Sequence, residues 1–531
     1  MNNLPIPSRL ESFMPLARAA YPSGHNLSAD LPLLRVQEIL ASLLAAAAKG
    51  EGCVLARSLN LKPNERTALA PLHNFIALEG DLVLLPRYAH QLQSMRRFFE
   101  ERTHQSVERT DDDAVRNHLN NLLPHETVED PVSGEPLFSS LHQRLAIAAL
   151  VDAQTGILTG GPGTGKTTTA AALLALKQRL NPSLTAARVL VTAPTGKAAC
   201  RIAEALARST QHLLGLTRDE KHFLKSIPCT TLHRALEWGP SPPEKGGPFR
   251  RNRFRPLDAD VVLVDEASMV DLSLMHALIS ALPPHASLLL LGDSYQLRSV
   301  DVGGILAELV QRAAAGPKLE PNQTARLSRR LGLNEPDIEC AFLEGMPRPE
   351  TPHSKPSLRP LSGIAFGLKY SRRAMNAPWV LKLADITRPG SLSTETEIEK
   401  LIEDETRKDT PNLRWIDTSN ARTCLSHCES HWKRWAERAV HWTSLLSNTS
   451  TLTSSQQASE ALDALGHFQL LCSTNAQVVA ANDFGRRTLI GDARHLHDML
   501  PHGCPLLITA NNRSLNLSNG DVGIALSQAP G

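Results

Sequence analysis

The chain is short of several things that would place it in familiar classes. Aromatic residues make up only 4% of its 531 residues, so platforms for stacking bases cannot be numerous. An excess of one charge is missing too: 56 Lys and Arg face 54 Asp and Glu, a formal net charge of +2. Any basic footprint for nucleic acid must therefore be local. No apolar run reaches the roughly 20 residues that a membrane-spanning helix needs, and no signal-peptide pattern opens the chain. Neither a membrane role nor secretion is expected. The eight cysteines are scattered without the spacing of a disulfide framework, and the plain expectation is a reducing, cytoplasmic setting. What is present is 42% hydrophobic residues, enough for real cores, in a length that suggests about three or four domains.

One stretch dominates: ILTGGPGTGKTTT, Ile157–Thr169. It reads as a buried strand, a glycine-rich loop and the start of a helix. The G-x-x-x-x-G-K-T spacing puts Gly160, Gly165, Lys166 and Thr167 at fixed positions. The loop backbone over Gly160, Gly161, Pro162, Gly163, Thr164 and Gly165 can curl around phosphate oxygens where side chains would clash. The helix that follows, with Thr168 in its first turn, aims its positive end there. Lys166 is expected to reach the β- and γ-phosphates of ATP, and the Thr167 hydroxyl to ligate Mg²⁺.

Around this loop the chain repeats one theme. VLVTA is a strand that ends in Pro194-Thr195-Gly196-Lys197, a turn into a helix; Thr195 and Lys197 could touch the phosphate of a nucleotide or of a polynucleotide. CTTLHRAL sets Thr230, Thr231 and His233 at a helix start, where a capping threonine is the alternative reading. VVLVDEASMVD ends an aliphatic run in Asp265-Glu266, one carboxylate for Mg²⁺ and a neighbour to activate water. SLLLLGD leads to Gln296 at a strand tip, beside the γ-phosphate and able to report its loss. Strands that end in polar residues and alternate with helices predict a parallel sheet with ligands at its C-terminal rim. Residues 239–258, Pro/Gly-rich and holding Arg250, Arg251, Arg253 and Arg255, predict an excursion that suits a nucleic-acid backbone or is simply a solvated loop.

Elsewhere the signals are thinner. Residues 1 to about 125 read as a small, mostly helical interaction domain, with a linker near Asp111–Arg116 and Pro124. Residues 317–361 are proline-rich and give no clear pattern, and LSNTSTLTSSQQAS reads as a polar connector. Cys424, His427, Cys428 and His431 fall at i, i+3, i+4 and i+7 of one helix. That spacing resembles a metal site, but one straight helix spreads four ligands over two turns, so composition is the expected explanation.

The ordered set QR, GGPGTGKTTT, APTGKAA, TTLHR, VVLVDEASMVD and LLLGDSYQLRSV resembles superfamily-one DNA helicases, and among them the RecD type, the alpha subunit of exodeoxyribonuclease V. The likeness runs from about Pro136 to Leu309 and resumes at LKYSRRAMNAPWVLKLADITRPG, HFQLLCSTN and CPLLITANNRSLNLSNGDVGIAL. It implies an α/β fold with a RecA-like P-loop NTPase lobe over 126–316, a second RecA-like lobe over 317–531 and the helical domain over 1–125. By the same resemblance Gln143 contacts adenine, Lys166 and the loop hold phosphates, Asp265 holds the metal and Glu266 activates water. Gln296 couples the γ-phosphate to DNA, and Arg373 of the SRR segment is the arginine offered by the second lobe. Thr195, Lys197, Thr231 and His233 then touch or brace single-stranded DNA. The implied activity is 5′→3′ unwinding of duplex ends, driven by ATP with Mg²⁺, alongside beta and gamma subunits.

The sequence departs from that pattern at Ala374, at Tyr295, and in lacking motifs resembling TVHKSQGSEF and the segment with a second catalytic arginine. The expectation is an incomplete second lobe and a chain that binds ATP but turns it over poorly. On the alternative reading it is a non-motor subunit that scaffolds the same complex.

Overall fold

Runs such as Val261–Val264 and Ser287–Gly292 carry no charge along their length, and such strands are stable only where both faces are covered. The computed structural model bears this out. It describes residues 33–48, 52–73, 75–104, 110–124, 127–129, 136–138, 140–239, 248–296, 304–314, 319–346, 361, 363–369, 378–387, 395–407, 421–441, 451–490, 503–509, 515, 517 and 521–525. The chain divides into two units, residues 1–394 and 395–531.

Among its described residues the first unit begins with helix α1 (Leu33–Ala48) and strands β1 (Cys53–Leu55), β2 (Ala77–Glu79) and β3 (Leu82–Leu84). Val36, Ile39, Leu40 and Leu43 sit at helical spacing on α1 and are buried with Ala56, Leu72, Ile76 and Val83 in a small separate core. The strands pair antiparallel in the order β1-β3-β2, so the segment expected to be helical also carries a sheet. Helices α2 (Pro86–His104) and α3 (Asp112–Leu122) then leave this core. Their Phe99, Val115, Leu119 and Leu122 are buried in the main core instead. The segment read as a linker is a capped helix: the Asp111 side chain accepts from the Asp113 and Ala114 amides, satisfying N–H groups that the first turn leaves unpaired.

After a short antiparallel ribbon of β4 (Thr127–Glu129) and β5 (Pro136–Phe138), helix α4 (Leu141–Leu150) leads into the principal sheet. Its strands are β6 (Thr155–Gly160), β7 (Val189–Ala193), β8 (Cys229–Thr231), β9 (Val261–Val264), β10 (Ser287–Gly292) and β11 (Ala365–Leu368). They lie in the order β11-β6-β10-β9-β7-β8, every pair parallel. Helices α5 (Lys166–Leu180), α6 (Gly196–His212), α7 (Arg218–Ser226), α8 (Leu232–Ala235), α9 (Leu272–Ala281) and α10 (Ile305–Ala314) connect or flank the strands. Residues 169–176 of α5 are buried without interruption, which explains why that stretch, AAALLAL after Thr169, is apolar on every side.

The boundary expected at 316/317 falls inside this packing. Helices α11 (Pro321–Leu331) and α12 (Glu335–Gly345) bury Leu327, Leu331, Ile338 and Phe342 in the main core, and β11 pairs with β6. The proline-rich stretch that gave no pattern thus supplies two helices of the first core, and the strand just after it completes the edge of the first sheet. Arg330, fully buried, fastens α11 in place: it donates to Asp112 at 2.7 Å, to Asp152 at 2.5 Å and to the Ala148 carbonyl at 2.6 Å.

The second unit holds α13 (Glu395–Thr406), α14 (Ala421–His441), α15 (Thr451–Ala464) and α16 (Asn475–Ile490). Its β12 (Pro505–Leu507) and β13 (Val522–Ile524) form an antiparallel ribbon. Among its described residues there is no parallel sheet. The stretch read as a polar connector continues into α15, and residues 451–464 are helical. Trp432 packs against Phe484 at 5.5 Å between ring centroids, and Trp435 Nε1 donates to the Gly503 carbonyl at 2.8 Å.

Candidate nucleotide site

The sheet brings the C-terminal ends of β6, β10 and β9 side by side, with Leu291 opposite Leu158 and Leu290 opposite Val264. Everything expected of the phosphate loop follows β6. Gly163 and Gly165 have φ of +78° and +85°, a region that costs other residues about 1–2 kcal/mol. At Gly160 a Cβ would come within 2.7 Å of Thr164 Oγ1 and 2.9 Å of the Leu368 carbonyl, so only glycine fits. Thr164 Oγ1 donates to the Gly161 carbonyl at 2.8 Å, and Thr169 Oγ1 to the Gly165 carbonyl at 2.9 Å. The Lys166 ammonium lies over its own loop, donating to the carbonyls of Gly160 at 2.6 Å and Gly161 at 3.1 Å. Thr167 and Thr168 occupy the first turn of α5, partly exposed.

Gln143 packs under this loop rather than standing on an open face. It is 7% exposed on α4, and Nε2 donates to the Thr164 carbonyl at 3.3 Å.

Asp265 and Glu266 follow β9 directly. Burial pushes the Asp265 carboxyl up to about 6; the Glu266 amide and the Lys166 charge oppose that rise, and the Glu266 carboxylate adds to it. Asp265 is therefore within electrostatic reach of the loop lysine. Glu266 itself has φ +51° and ψ +40°, left-handed backbone in a non-glycine residue, and its amide donates to Asp265 Oδ1 at 3.0 Å. Strain of this kind concentrates at functional sites. A hydroxyl from Thr167 and a carboxylate from Asp265 are hard oxygen donors of the kind Mg²⁺ prefers. Gln296 stands after β10, exposed, and its Oε1 accepts from Ser268 Oγ at 3.2 Å.

The other expected residues lie further along the same rim. Thr195 is the N-cap of α6, accepting from the Ala198 amide at 3.2 Å, and Thr231 is the N-cap of α8, accepting from the Arg234 amide at 3.2 Å. Ala193 is opposite Thr231 in the sheet, which makes the two caps neighbours. Lys197 is partly exposed and His233 exposed. The His233 ring meets Trp238 edge-on at 6.3 Å and Phe249 at 6.0 Å. Of the four insertion arginines, two are committed: Arg251 pairs with Glu237 at 2.7 Å and Arg255 with the same carboxylate at 3.1 Å. Arg253 stacks on the exposed Phe254 ring at 4.5 Å, and Arg250 is exposed. Arg373 lies outside the described residues. So does the Cys424 side chain; His431 stacks on Phe468 at 4.2 Å. Among the described residues no group of three or more His, Cys, Asp or Glu could hold a metal ion.

Three participants escaped the sequence reading. Ser268 and Thr159 are small polar residues beside louder motifs, and only the pairing of β6, β9 and β10 reveals them. Glu237 could have been suspected from the arginine surplus of 250–255, which needs a nearby counter-charge.

A parallel sheet with a lysine-bearing phosphate loop and an acidic pair at the next strands but one defines a P-loop nucleotide-binding lobe. A family model described as an AAA domain matches residues 143–301. The RecBCD enzyme subunit RecD of Mycolicibacterium smegmatis is 40% identical over 192 residues, 36% of this chain and 34% of that protein. The same subunit of Mycobacterium tuberculosis is 44% identical over 170 residues, 32% and 28% of the two chains. The ATP-dependent RecD2 DNA helicase of Deinococcus radiodurans is 38% identical over 170 residues, 32% and 19%. A solved Pif1 helicase from Candida albicans aligns at 18% identity with a TM-score of 0.26, over 55% of this chain and 53% of that one. Over these 170–192 residues the lobe is similar to those of the RecD and RecD2 proteins. The matched stretch spans about a third or less of the length of each of these three relatives.

Proposed function

We propose that this chain is the ATP-driven motor subunit of a RecBCD-like, exonuclease V-type complex, acting on single-stranded DNA at duplex ends. The observation that carries the reading is that Lys166 follows β6 and the Asp265–Glu266 pair follows β9 on one rim, with Asp265 in electrostatic reach of Lys166 and Gln296 in the turn after β10, the strand between them. ATP is the nucleotide that the relatives' names imply. Loop amides and Lys166 would bind its phosphates, and Gln143 would sense the base side of the same loop. A Mg²⁺ ion held by Thr167 and Asp265 would neutralise phosphate charge. Glu266 would take the proton of the attacking water, an effect worth about 10²–10⁴-fold in comparable proton transfers. Thr195, Lys197, Thr231 and His233 would track the DNA strand along the neighbouring strand ends. Arg373 as an arginine offered by a second lobe, the 5′→3′ direction and the beta and gamma partners come from the resemblance.

The experiment is steady-state ATP hydrolysis by the purified chain, with and without a single-stranded oligonucleotide, against Lys166→Ala. DNA-stimulated turnover that Lys166→Ala abolishes supports the motor. Nucleotide binding without turnover would favour the scaffolding subunit, and no nucleotide binding would overturn both.

A further inference from the structure

The turn after β9 and the turn after β10 are held together by a side chain that the catalytic reading leaves unused. Ser268, three residues beyond Asp265, is 7% exposed, and its hydroxyl donates to Gln296 Oε1 at 3.2 Å. The two turns are closely appressed: a Cβ on Gly292 would come within 3.2 Å of the Ser268 amide nitrogen and 3.3 Å of that of Ala267. On the other side, the Ser294 amide donates to Thr159 Oγ1 at 3.3 Å, and Thr159 immediately precedes Gly160. The turn is closed internally by the Tyr295 amide on Asp293 Oδ1 at 3.0 Å and the Gln296 amide on the Asp293 carbonyl at 3.2 Å. The backbone carrying Gln296 is thus pinned to the strand that feeds the phosphate loop, while its side chain is held by the turn that carries the acidic pair.

A carboxamide has two ends of similar size and opposite hydrogen-bonding sense. Phosphate oxygens only accept, so Nε2 is the end of use to a γ-phosphate. With the Ser268 hydroxyl donating to Oε1, as it does here, Nε2 is the end left for a phosphate. We propose that Ser268 is the positioning residue for Gln296: it fixes the carboxamide so that its N–H donors face a terminal phosphate, and so joins the metal-binding turn to the turn that distinguishes triphosphate from diphosphate. The inference rests on the proposed reading of the site as one for a nucleoside triphosphate.

Calorimetric titration of the full chain with Mg-ADP and with the Mg complex of a non-hydrolysable triphosphate analogue, AMP-PNP, tests it without requiring turnover. Wild type should prefer the analogue. Ser268→Ala should lose about tenfold of that preference (~1.4 kcal/mol), the lower range for a hydrogen bond to a charged group, with ADP affinity unchanged. Ser268→Cys, similar in size but a poor donor, should lose it equally and serves if the alanine variant does not fold. Ser268→Thr should keep it. Gln296→Ala should match Ser268→Ala, and the double variant should fall no further. A Ser268→Ala or Ser268→Cys chain that discriminates like wild type overturns the proposal and leaves the triphosphate site standing. Equal loss of both nucleotides marks a structural role and overturns it too. A wild-type chain that binds neither nucleotide overturns the proposal together with the reading beneath it.

Discussion

Gln143 fills the space that a side chain at position 165 would need: a Cβ on Gly165 would fall on Gln143 Nε2. The residue expected to read the base is therefore also the floor of the phosphate loop.

Gly165→Ala should fail twice over, through backbone at φ +85° and through displacement of Gln143. The left-handed backbone alone costs about 1–2 kcal/mol, which for a domain of this size lowers the melting temperature by about 2–8 °C. Nucleotide affinity should fall further than stability does. Differential scanning calorimetry alongside nucleotide titration checks both, and a variant that melts and binds as wild type would contradict the packing.

Arg330 should be worth more to stability than any surface arginine. Arg330→Ala takes one partner from the buried Asp152, which keeps Arg326 at 2.5 Å and the Thr110 hydroxyl at 2.7 Å, so the loss should fall at or below the low end of the about 3–5 kcal/mol that breaking a buried pair costs. Arg330→Met, which fills the space without a charge, removes the same ion pairs but keeps the packing, so it should fall between the two. Urea unfolding midpoints give the order wild type, methionine, alanine.

Lys177 supplies a pH dependence. Its ammonium donates to the Val151 carbonyl at 2.6 Å, and burial lowers its pKa from 10.5 to about 8, with Asp152 opposing the fall. A base whose folded pKa is depressed binds fewer protons folded than unfolded between those values, so stability rises with pH from about 8 to 10.5. Lys177→Met should lack that rise. Melting temperatures across pH 7.5–10.5, compared between the two chains, decide it; parallel curves would contradict the assignment.

The insertion arginines should separate into two kinds. On the proposed DNA-binding reading, Arg250→Ala and Arg253→Ala should each reduce the salt dependence of single-strand binding by about 0.7 in log–log slope. Arg251→Ala should leave the slope unchanged, because that guanidinium already faces Glu237, and should loosen the tie between residues 251 and 237 instead. Fluorescence anisotropy at several salt concentrations distinguishes them.

How much of this was legible in the sequence follows from how local each cause is. The phosphate loop and the acidic pair are spelled out by adjacent residues, and the apolar runs before them predicted the parallel strands. The Asp111 cap was also written locally, as an aspartate ahead of an acidic first turn, but three acidic residues in a row resemble a solvated linker. β11 was not legible: AFGL is four residues long with a glycine inside, and it becomes a strand because β6 offers an edge and α12 covers it. The same holds for Arg330, whose partners lie 178 and 218 positions away in the chain. Ser268 needed the sheet order before its neighbour on the next strand could be known.

β11 carries a further consequence. Leu368 is paired with Gly160, and the Gly345 and Gly367 backbones touch so closely that neither position admits a Cβ. The polypeptide therefore leaves the sheet at Lys369 from a berth alongside the loop that grips phosphate. Crowding at Gly345 or Gly367, far away in numbering, should therefore be felt through β11 at Gly160 and masquerade as a defect in nucleotide grip.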